Sequence, residues 1–250
     1  MNEKTEVYAV VADLHWSYIN PKALEITHKI LRDLKPDVLI TLGDTCDYEG
    51  ISKYTMKDYG AGVDECEEEL KSFKIGWNEL LKSAGNPKQK MCLGNHEGAR
   101  VEKLLSKLKA KNKSREYRDV KRALDFKEHF KEAQIVNYND YIKVGGMLFT
   151  HGEFHNNNHA KTHALRYGSD VMYGHLHTLE VATIAQKAKT KVQAYSIPCL
   201  CQTNPTYREN RSSSWVNGMA VVTFAGGKHF VEVIQYKNNK VIFRGKQYEH

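Results

Sequence analysis

Short apolar runs that each stop at a polar cluster constrain the fold of this chain more than any other feature. Glu6–Asp13 is rich in β-branched residues and ends at Asp13-Leu14-His15, Pro36–Leu42 stops at Gly43-Asp44, and Lys88–Leu93 stops at Gly94-Asn95. Runs of this length and composition read as buried strands. Between the first two, Pro21 to Leu34 carries apolar residues at Ala23, Leu24, Ile26, Ile30, Leu31 and Leu34, a helical stripe with proline in its first turn. The pattern is β-α-β, which implies a parallel sheet whose polar residues gather at the carboxyl ends of the strands, where ligands sit in such sheets.

The rest of the chain extends this pattern. Glu65–Ser83, Arg100 to about Lys111, Arg115 to about Ala133, and Asn158–Tyr167 read as helices. Tyr141–Thr150 reads as strand with a Gly145-Gly146 turn and ends at His151, and Val171–Tyr173 is a short strand ending at Gly174-His175. From Lys191 onward the character is alternating strand, at Lys191–Ile197, Met219–Phe224, Phe230–Tyr236 and Val241–Arg244. At 41% hydrophobic and 27% charged residues, the composition is that of an ordinary globular protein. The expected fold is one α/β domain over residues 1–250, two packed sheets with helices outside, interrupted by a basic helical insertion at about 100–133.

Five polar clusters follow the expected strands: Asp13-Leu14-His15, Gly43-Asp44-Thr45-Cys46-Asp47, Gly94-Asn95-His96-Glu97, Thr150-His151-Gly152 and Gly174-His175-Leu176-His177. Any one of them is a common occurrence. Together they place carboxylate, amide and imidazole groups along one sheet edge, a donor set suited to manganese, iron or zinc. No thiolate is among them, which disfavours a closed structural zinc site. Seven ligand-type side chains are too many for one tetrahedral ion and suit two ions sharing a bridge, the arrangement that clamps a phosphoryl group for in-line attack. Gly43, Gly94, Gly152 and Gly174 flank these residues where a positive φ or a close backbone approach is needed.

The order D-x-H, G-D-x-x-D, G-N-H-E, H-G, G-H-x-H resembles the calcineurin-like metallophosphoesterase superfamily, with motifs running from Asp13 to His177. The resemblance implies a two-sheet sandwich flanked by helices (α/β/β/α) and two divalent metal ions, most simply Mn2+, with Fe or Zn as alternatives. It implies that Asp13, His15 and His177 hold the first ion, that Asn95, His151 and His175 hold the second, and that Asp44 bridges them. His96 would face the substrate as general acid or as stabiliser of phosphoryl charge, with Asp47 orienting it. Hydrolysis by metal-activated hydroxide, without a covalent intermediate, is the implied reaction. The protein Ser/Thr phosphatase branch follows G-D-x-x-D with a phosphate-gripping arginine. Here Tyr48-Glu49-Gly50 stands in that place, which argues against protein phosphatase activity. Arginine could instead come from Arg100, Arg208 or Arg211, although a surface ion pair is the simpler reading of each.

Charge bears on the substrate. The first hundred residues carry 13 basic and 17 acidic side chains, and the remainder carry 24 and 13. Lys103 to Arg122 alone holds nine basic residues against two acidic ones, either a lid over the active site or a solvated helical pair. The positive field favours a phosphodiester substrate, nucleic acid or nucleotide. A phosphomonoesterase acting on nucleotides or small esters is the alternative, and a non-catalytic interaction protein of the same fold a remote one. His155, His159 and His163 recur at helical spacing, as pocket-lining groups (His155 or His159 near a leaving group) or an incidental polar face. Thr203 to Gly218, with Trp215, reads as a specificity loop or as a surface excursion whose tryptophan packs on the sheet. Five cysteines with irregular spacing and no C-x-x-C pair fit a reducing compartment. With no signal-peptide pattern and no apolar stretch long enough for a bilayer, a cytoplasmic protein without membrane contact is expected.

Overall fold

A computed structural model of the chain describes residues 5–52, 59–186, 189–205 and 213–250. In chain order the elements are β1 (Glu6–Val11), α1 (Pro21–Leu34), β2 (Val38–Thr41), α2 (Tyr59–Ser83), β3 (Lys88–Cys92), α3 (Val101–Ala110), α4 (Ser114–Leu124), α5 (Phe126–His129) and β4 (Gln134–Val136). There follow β5 (Ile142–Val144), β6 (Met147–Thr150), α6 (His159–Tyr167), β7 (Asp170–Tyr173), β8 (Glu180–Gln186), β9 (Lys189–Ser196), β10 (Gly218–Ala225), β11 (Lys228–Gln235), β12 (Lys240–Phe243) and β13 (Lys246–Glu249). One sheet has the order β11-β10-β1-β2-β3-β4, a second has β5-β6-β7-β9-β8, and β12 and β13 form a hairpin of their own.

The two-residue period of β1 explains the layering. Tyr8 and Val10 face a core shared with Val38, Ile40, Val222 and, from the second sheet, Met147, Phe149 and Met172. Ala9 and Val11 face the opposite way, into a core built with Ile26, Ile30, Leu70, Phe73 and Trp77 of α1 and α2. The outer face of the second sheet buries Leu148, Val171 and Tyr173 against Ala160 and Ala164 of α6. The chain is therefore helix, sheet, sheet, helix, as its sequence implies. Strands β1, β2 and β3 are parallel neighbours, and so are β6 and β7. Two sets of carboxyl strand ends meet at one edge of the sandwich.

Between β3 and β4, α3 and α4 each bury one stripe, Val101, Leu104 and Leu108 on the first and Val120, Ala123 and Leu124 on the second. Lys103, Lys107, Lys109, Lys111 and Lys113 are exposed, the opposite face of an amphipathic pair. The single helix expected over Arg115–Ala133 breaks at Asp125, whose side chain accepts the Lys127 amide (3.1 Å) and starts α5 afresh. β8 was not expected from sequence. It lies at the edge of its sheet with Val181 exposed, so the apolar alternation that reveals a buried strand is weak there. Among the described residues no helix is long and apolar enough to cross a membrane.

Candidate metal centre

Every expected ligand leaves the end of a strand. Asp13 and His15 follow β1, Asp44 follows β2, Asn95 follows β3, His151 follows β6, and His175 and His177 follow β7. Backbone bonds lace the loops together: the Asp13 amide donates to the Gly43 carbonyl (3.0 Å) and the His15 amide to the Asp44 carbonyl (2.9 Å). Asp13, His15, Asp44, His175 and His177 all take left-handed backbone (φ 50°, 40°, 46°, 68° and 59°). A non-glycine residue there costs of order 1 kcal/mol, and such strain gathers where the surroundings fix a functional geometry. The glycines serve differently. A Cβ on Gly94 would fall on Asp44, and one on Gly174 would lie 2.6 Å from Asp13 Oδ2, so both are positions of close approach.

The donor atoms form two groups. In the first, His177 Nε2 lies 3.3 Å from His15 Nε2 and 3.6 Å from Asp13 Oδ1. In the second, His151 Nε2 lies 3.0 Å from both Asn95 Oδ1 and His175 Nδ1, and 3.3 Å from Asp44 Oδ2. Asp44 Oδ2 is also 3.8 Å from His15 Nε2, so one carboxylate oxygen touches both groups. The other nitrogens of three rings are already engaged: His15 Nδ1 donates to Asp47 Oδ1 (2.9 Å), His151 Nδ1 donates to the Leu42 carbonyl (2.8 Å), and His177 Nδ1 meets Cys201 Sγ at 3.6 Å. Outward partners of this kind fix ring orientation around a metal. Converging inward lone pairs with no thiolate among them fit two hard-to-borderline divalent ions.

Buried charge sets the protonation of the site. Burial alone would raise the carboxyls of Asp13 and Asp44, yet His177 beside the first and His151 and His96 beside the second hold both below the usual range. Burial opposes charge on His151 and His177, but Asp44 and Asp13 outweigh it and push the rings up to about 9 and about 10. Burial and the neighbouring His151 hold His175 down, at about 4. At pH 7 the ion-free protein therefore carries protons on His151 and His177 that ions must displace. Loading with Mn2+ at pH 7 should release about two protons per chain, fewer as pH climbs through 9 and 10, measured as the buffer-dependence of the binding enthalpy. The folded pKa values lie above the unfolded value near 6.5. Ring charge therefore stabilises the ion-free fold fully below about pH 6.5, and that contribution fades as pH passes about 9, while ion affinity grows. Proton release that does not vary with pH would contradict this assignment.

His96 and Arg100 occupy one π-helical turn, Asn95–Arg100, a rare geometry that often marks function. His96 Nδ1 donates to the Asp47 carbonyl (2.7 Å), and its Nε2 sits 3.8 Å from Asp44 Oδ2. Asp47 thus holds His96 mainly by its backbone, with its carboxylate 3.3 Å away and closer to His15. Arg100 Nη1 donates to the carbonyls of Asp47 (2.5 Å) and Tyr48 (3.1 Å), which leaves Nη2 against His96 Nε2 at 3.3 Å. A cleft of about 640 Å³ opens over these groups, lined among others by Asp44, His96, Arg100, Glu49 and Trp215.

Other sequence-derived candidates fall elsewhere. His155 is exposed, precedes the helix that begins at His159, and does not line the cleft. His159 is buried, bonded to the Tyr173 hydroxyl (2.6 Å) and Glu180 (2.7 Å), and His163 stacks on Tyr173, so both serve the packing of α6. Arg208 and Arg211 lie outside the described residues. From the basic segment, only Arg100 at its start lines the cleft.

The structure adds Glu97, which in the sequence stands only as the last letter of the G-N-H-E motif. Its Oε1 accepts from the Thr45 amide and hydroxyl and from the Cys46 amide (3.2 Å), and its Oε2 from the Gly94 amide (3.1 Å). Burial, then the charge of Asp44, pushes its carboxyl up. Glu97 straps the loop bearing Asp44 to the turn bearing Asn95. Glu97→Gln turns one acceptor into a donor facing an N–H, and should lower stability by about 1–3 kcal/mol in urea unfolding. Glu69, on α2, caps the same loop by accepting the amides of Asp47 (2.7 Å) and Tyr48 (2.8 Å).

A family model described as calcineurin-like phosphoesterase matches residues 7–181. No curated protein matches the chain. Among solved structures, vacuolar protein sorting 29 from Cryptosporidium parvum is 11% identical over 97% of this chain and 94% of that one, with a TM-score of 0.50, a likeness of fold. A dimetal phosphatase from Danio rerio is 10% identical over 91% of this chain and 95% of that one, with a TM-score of 0.41.

Proposed function

This chain belongs to the calcineurin-like phosphoesterase family, and from that premise we propose that it is a dinuclear-metal phosphodiesterase acting on nucleotide or nucleic acid esters. The observation that carries the reading is one carboxylate oxygen, Asp44 Oδ2, reaching donors of two separate ligand groups. Asp13, His15 and His177 would hold one ion, Asn95, His151 and His175 the other, and Asp44 both. Manganese is the ion proposed for this carboxylate, amide and imidazole set without thiolate, with iron and zinc as alternatives the same donors accept. Bound there, two divalent ions supply Lewis acidity toward a phosphoryl oxygen and make water nucleophilic at neutral pH.

The chain's own groups do the rest. His96 anchors its Nδ1–H on the Asp47 carbonyl, so the proton it gains on becoming imidazolium sits at Nε2, and that proton is the one delivered to the leaving oxygen. Arg100, anchored at two carbonyls, presents its remaining nitrogen beside His96 and draws a phosphoryl oxygen to that end of the cleft. The diester preference is supported by the exposed lysines of α3, which raise the local concentration of polyanions without entering the cleft.

Manganese-dependent hydrolysis of bis-p-nitrophenyl phosphate beside p-nitrophenyl phosphate tests the reading. The diester should be preferred. A preference for the monoester would replace the diesterase reading with a phosphomonoesterase. Exchanging Lys107, Lys109, Lys111 and Lys113 for glutamine should slow turnover of a DNA oligonucleotide and flatten its salt dependence, with little effect on the small diester. Equal losses on both would end the case for the basic segment.

A further inference from the structure

We infer that Trp215 forms a base-stacking wall of the cleft and that the phosphoester taken there carries a nucleoside, a substrate class that presupposes the phosphoesterase reading above. Four rings follow one another in the cleft: His96 lies 4.9 Å from His15, His15 lies 5.1 Å from His177, and His177 lies 4.0 Å from Trp215, centroid to centroid. One end of this run carries the proton donor for a leaving oxygen. The other end is an uncharged indole, whose broad face suits a flat apolar ring better than a phosphate. An ester held between them places its phosphorus over the ligand rings and its organic part against Trp215.

The backbone that carries the indole is anchored. The Val216 amide donates to the His177 carbonyl (2.9 Å), and the Cys199 amide donates to the Val216 carbonyl (3.0 Å). The Trp215 amide donates to Ser213 Oγ (3.1 Å). The main chain at Trp215 is thereby tied to the backbone of a ligand residue, so binding need not order the segment 213–216 from scratch. His177 meets it at an interplanar angle of 60°, tilted rather than face to face. Glu49 and Ser52 line the same cleft, and the Tyr18 hydroxyl donates to the Glu49 carboxylate at 2.8 Å, so the cleft that holds the indole is polar elsewhere on its wall. A flat π-face in a cleft with polar walls, one ring away from the ligand groups that would take a phosphate, fits the chemistry of a nucleotide. A sugar phosphate or an alkyl phosphoester lacks the flat aromatic ring that such a face would stack.

The test compares AMP with ribose 5-phosphate, which share phosphate and ribose and differ by the base. Each is titrated into the manganese-loaded full chain by calorimetry and by tryptophan fluorescence. AMP should bind roughly tenfold or more tightly, the range of one base stacked on an aromatic side chain. It should also quench emission: Trp77 is fully buried and Trp16 packs on Phe73 with its Nε1 bonded to Ser72, so quenching by a base reports Trp215. In Trp215→Ala the affinity ratio should fall toward one, and in Trp215→Phe, which keeps a smaller aromatic face, it should be intermediate, with manganese content measured in both. Equal binding of the two ligands by a protein that still hydrolyses bis-p-nitrophenyl phosphate would overturn the stacking wall alone. A protein that hydrolyses no phosphoester would overturn the phosphoesterase reading and the wall with it.

Discussion

Asp44→Asn should lower manganese-dependent phosphoester hydrolysis by on the order of a thousandfold, the largest effect of any single substitution in this protein. The side chain keeps its shape and its place, buried between the turn of Asn95 and the ring of His151. What is lost is the charge. Asp44 Oδ2 is the atom within 3.8 Å of His15, His96 and His151, and its Oδ1 accepts the His96 amide at 3.0 Å. An amide offers one neutral oxygen in place of a carboxylate shared between two ligand groups. Removing one partner from a buried charge cluster costs roughly 3–5 kcal/mol. About 4 kcal/mol off transition-state stabilisation is a factor of about a thousand. Manganese titration by calorimetry should show both binding steps weakened together. Loss of only one step would mean that Asp44 serves a single ion, and the shared-carboxylate reading would fall.

His96→Ala should have the second largest effect, and its size should depend on the leaving group. In the ion-free protein burial opposes charge on His96, but Asp44 and Asp47 raise it to about 9. That value sits awkwardly beside Arg100 Nη2, 3.3 Å from Nε2, since an arginine donates best to an unprotonated ring. Ions placed against Asp44 would offset its pull and bring His96 down toward neutrality, where a general acid works best. Loss of such a group commonly costs 10²–10⁴-fold, so about a hundredfold or more is expected on a nucleoside leaving group. The same variant should lose far less on p-nitrophenyl esters, whose leaving oxygen departs without needing a proton. Manganese content should not change, because His96 falls in neither of the two ligand groups. Equal losses on both classes of ester would mean that His96 stabilises phosphoryl charge and does not deliver a proton.

How much of this was legible in the sequence depends on how locally each feature is written. The parallel order of β1, β2 and β3 was readable because each strand is a dense apolar run that stops at a ligand-type residue. Asp13, Asp44 and Asn95 could be placed for that reason. Gly43 and Gly152 do take positive φ, as turn glycines, at 100° and 104°. At Gly94 and Gly174 the glycine makes room while the ligand residues themselves adopt the left-handed turn, and no residue type announces that. Glu97 was visible as a letter in a motif, but its work, reaching back to Thr45 and Cys46, spans more than fifty positions and exists only once β2 and β3 are neighbours. The histidines at 159 and 163 were left between two readings, pocket-lining or an incidental polar face, for the same reason. Their spacing suggested one face of a helix, yet the partners that decide their fate, Tyr173 and Glu180, come from β7 and β8.

The seam between the two sheets has one more consequence. Asp13, Asp44 and Asn95 hang from one sheet and His151, His175 and His177 from the other. Ions seated there would pin the two halves of the sandwich to each other, so that opening the molecule and emptying the centre become a single event. A free ion at a hundred times its dissociation constant adds about 2.7 kcal/mol to a fold that binds it only when closed. How firmly this protein holds together would then be written partly in its amino acids and partly in the divalent-metal content of the water around it.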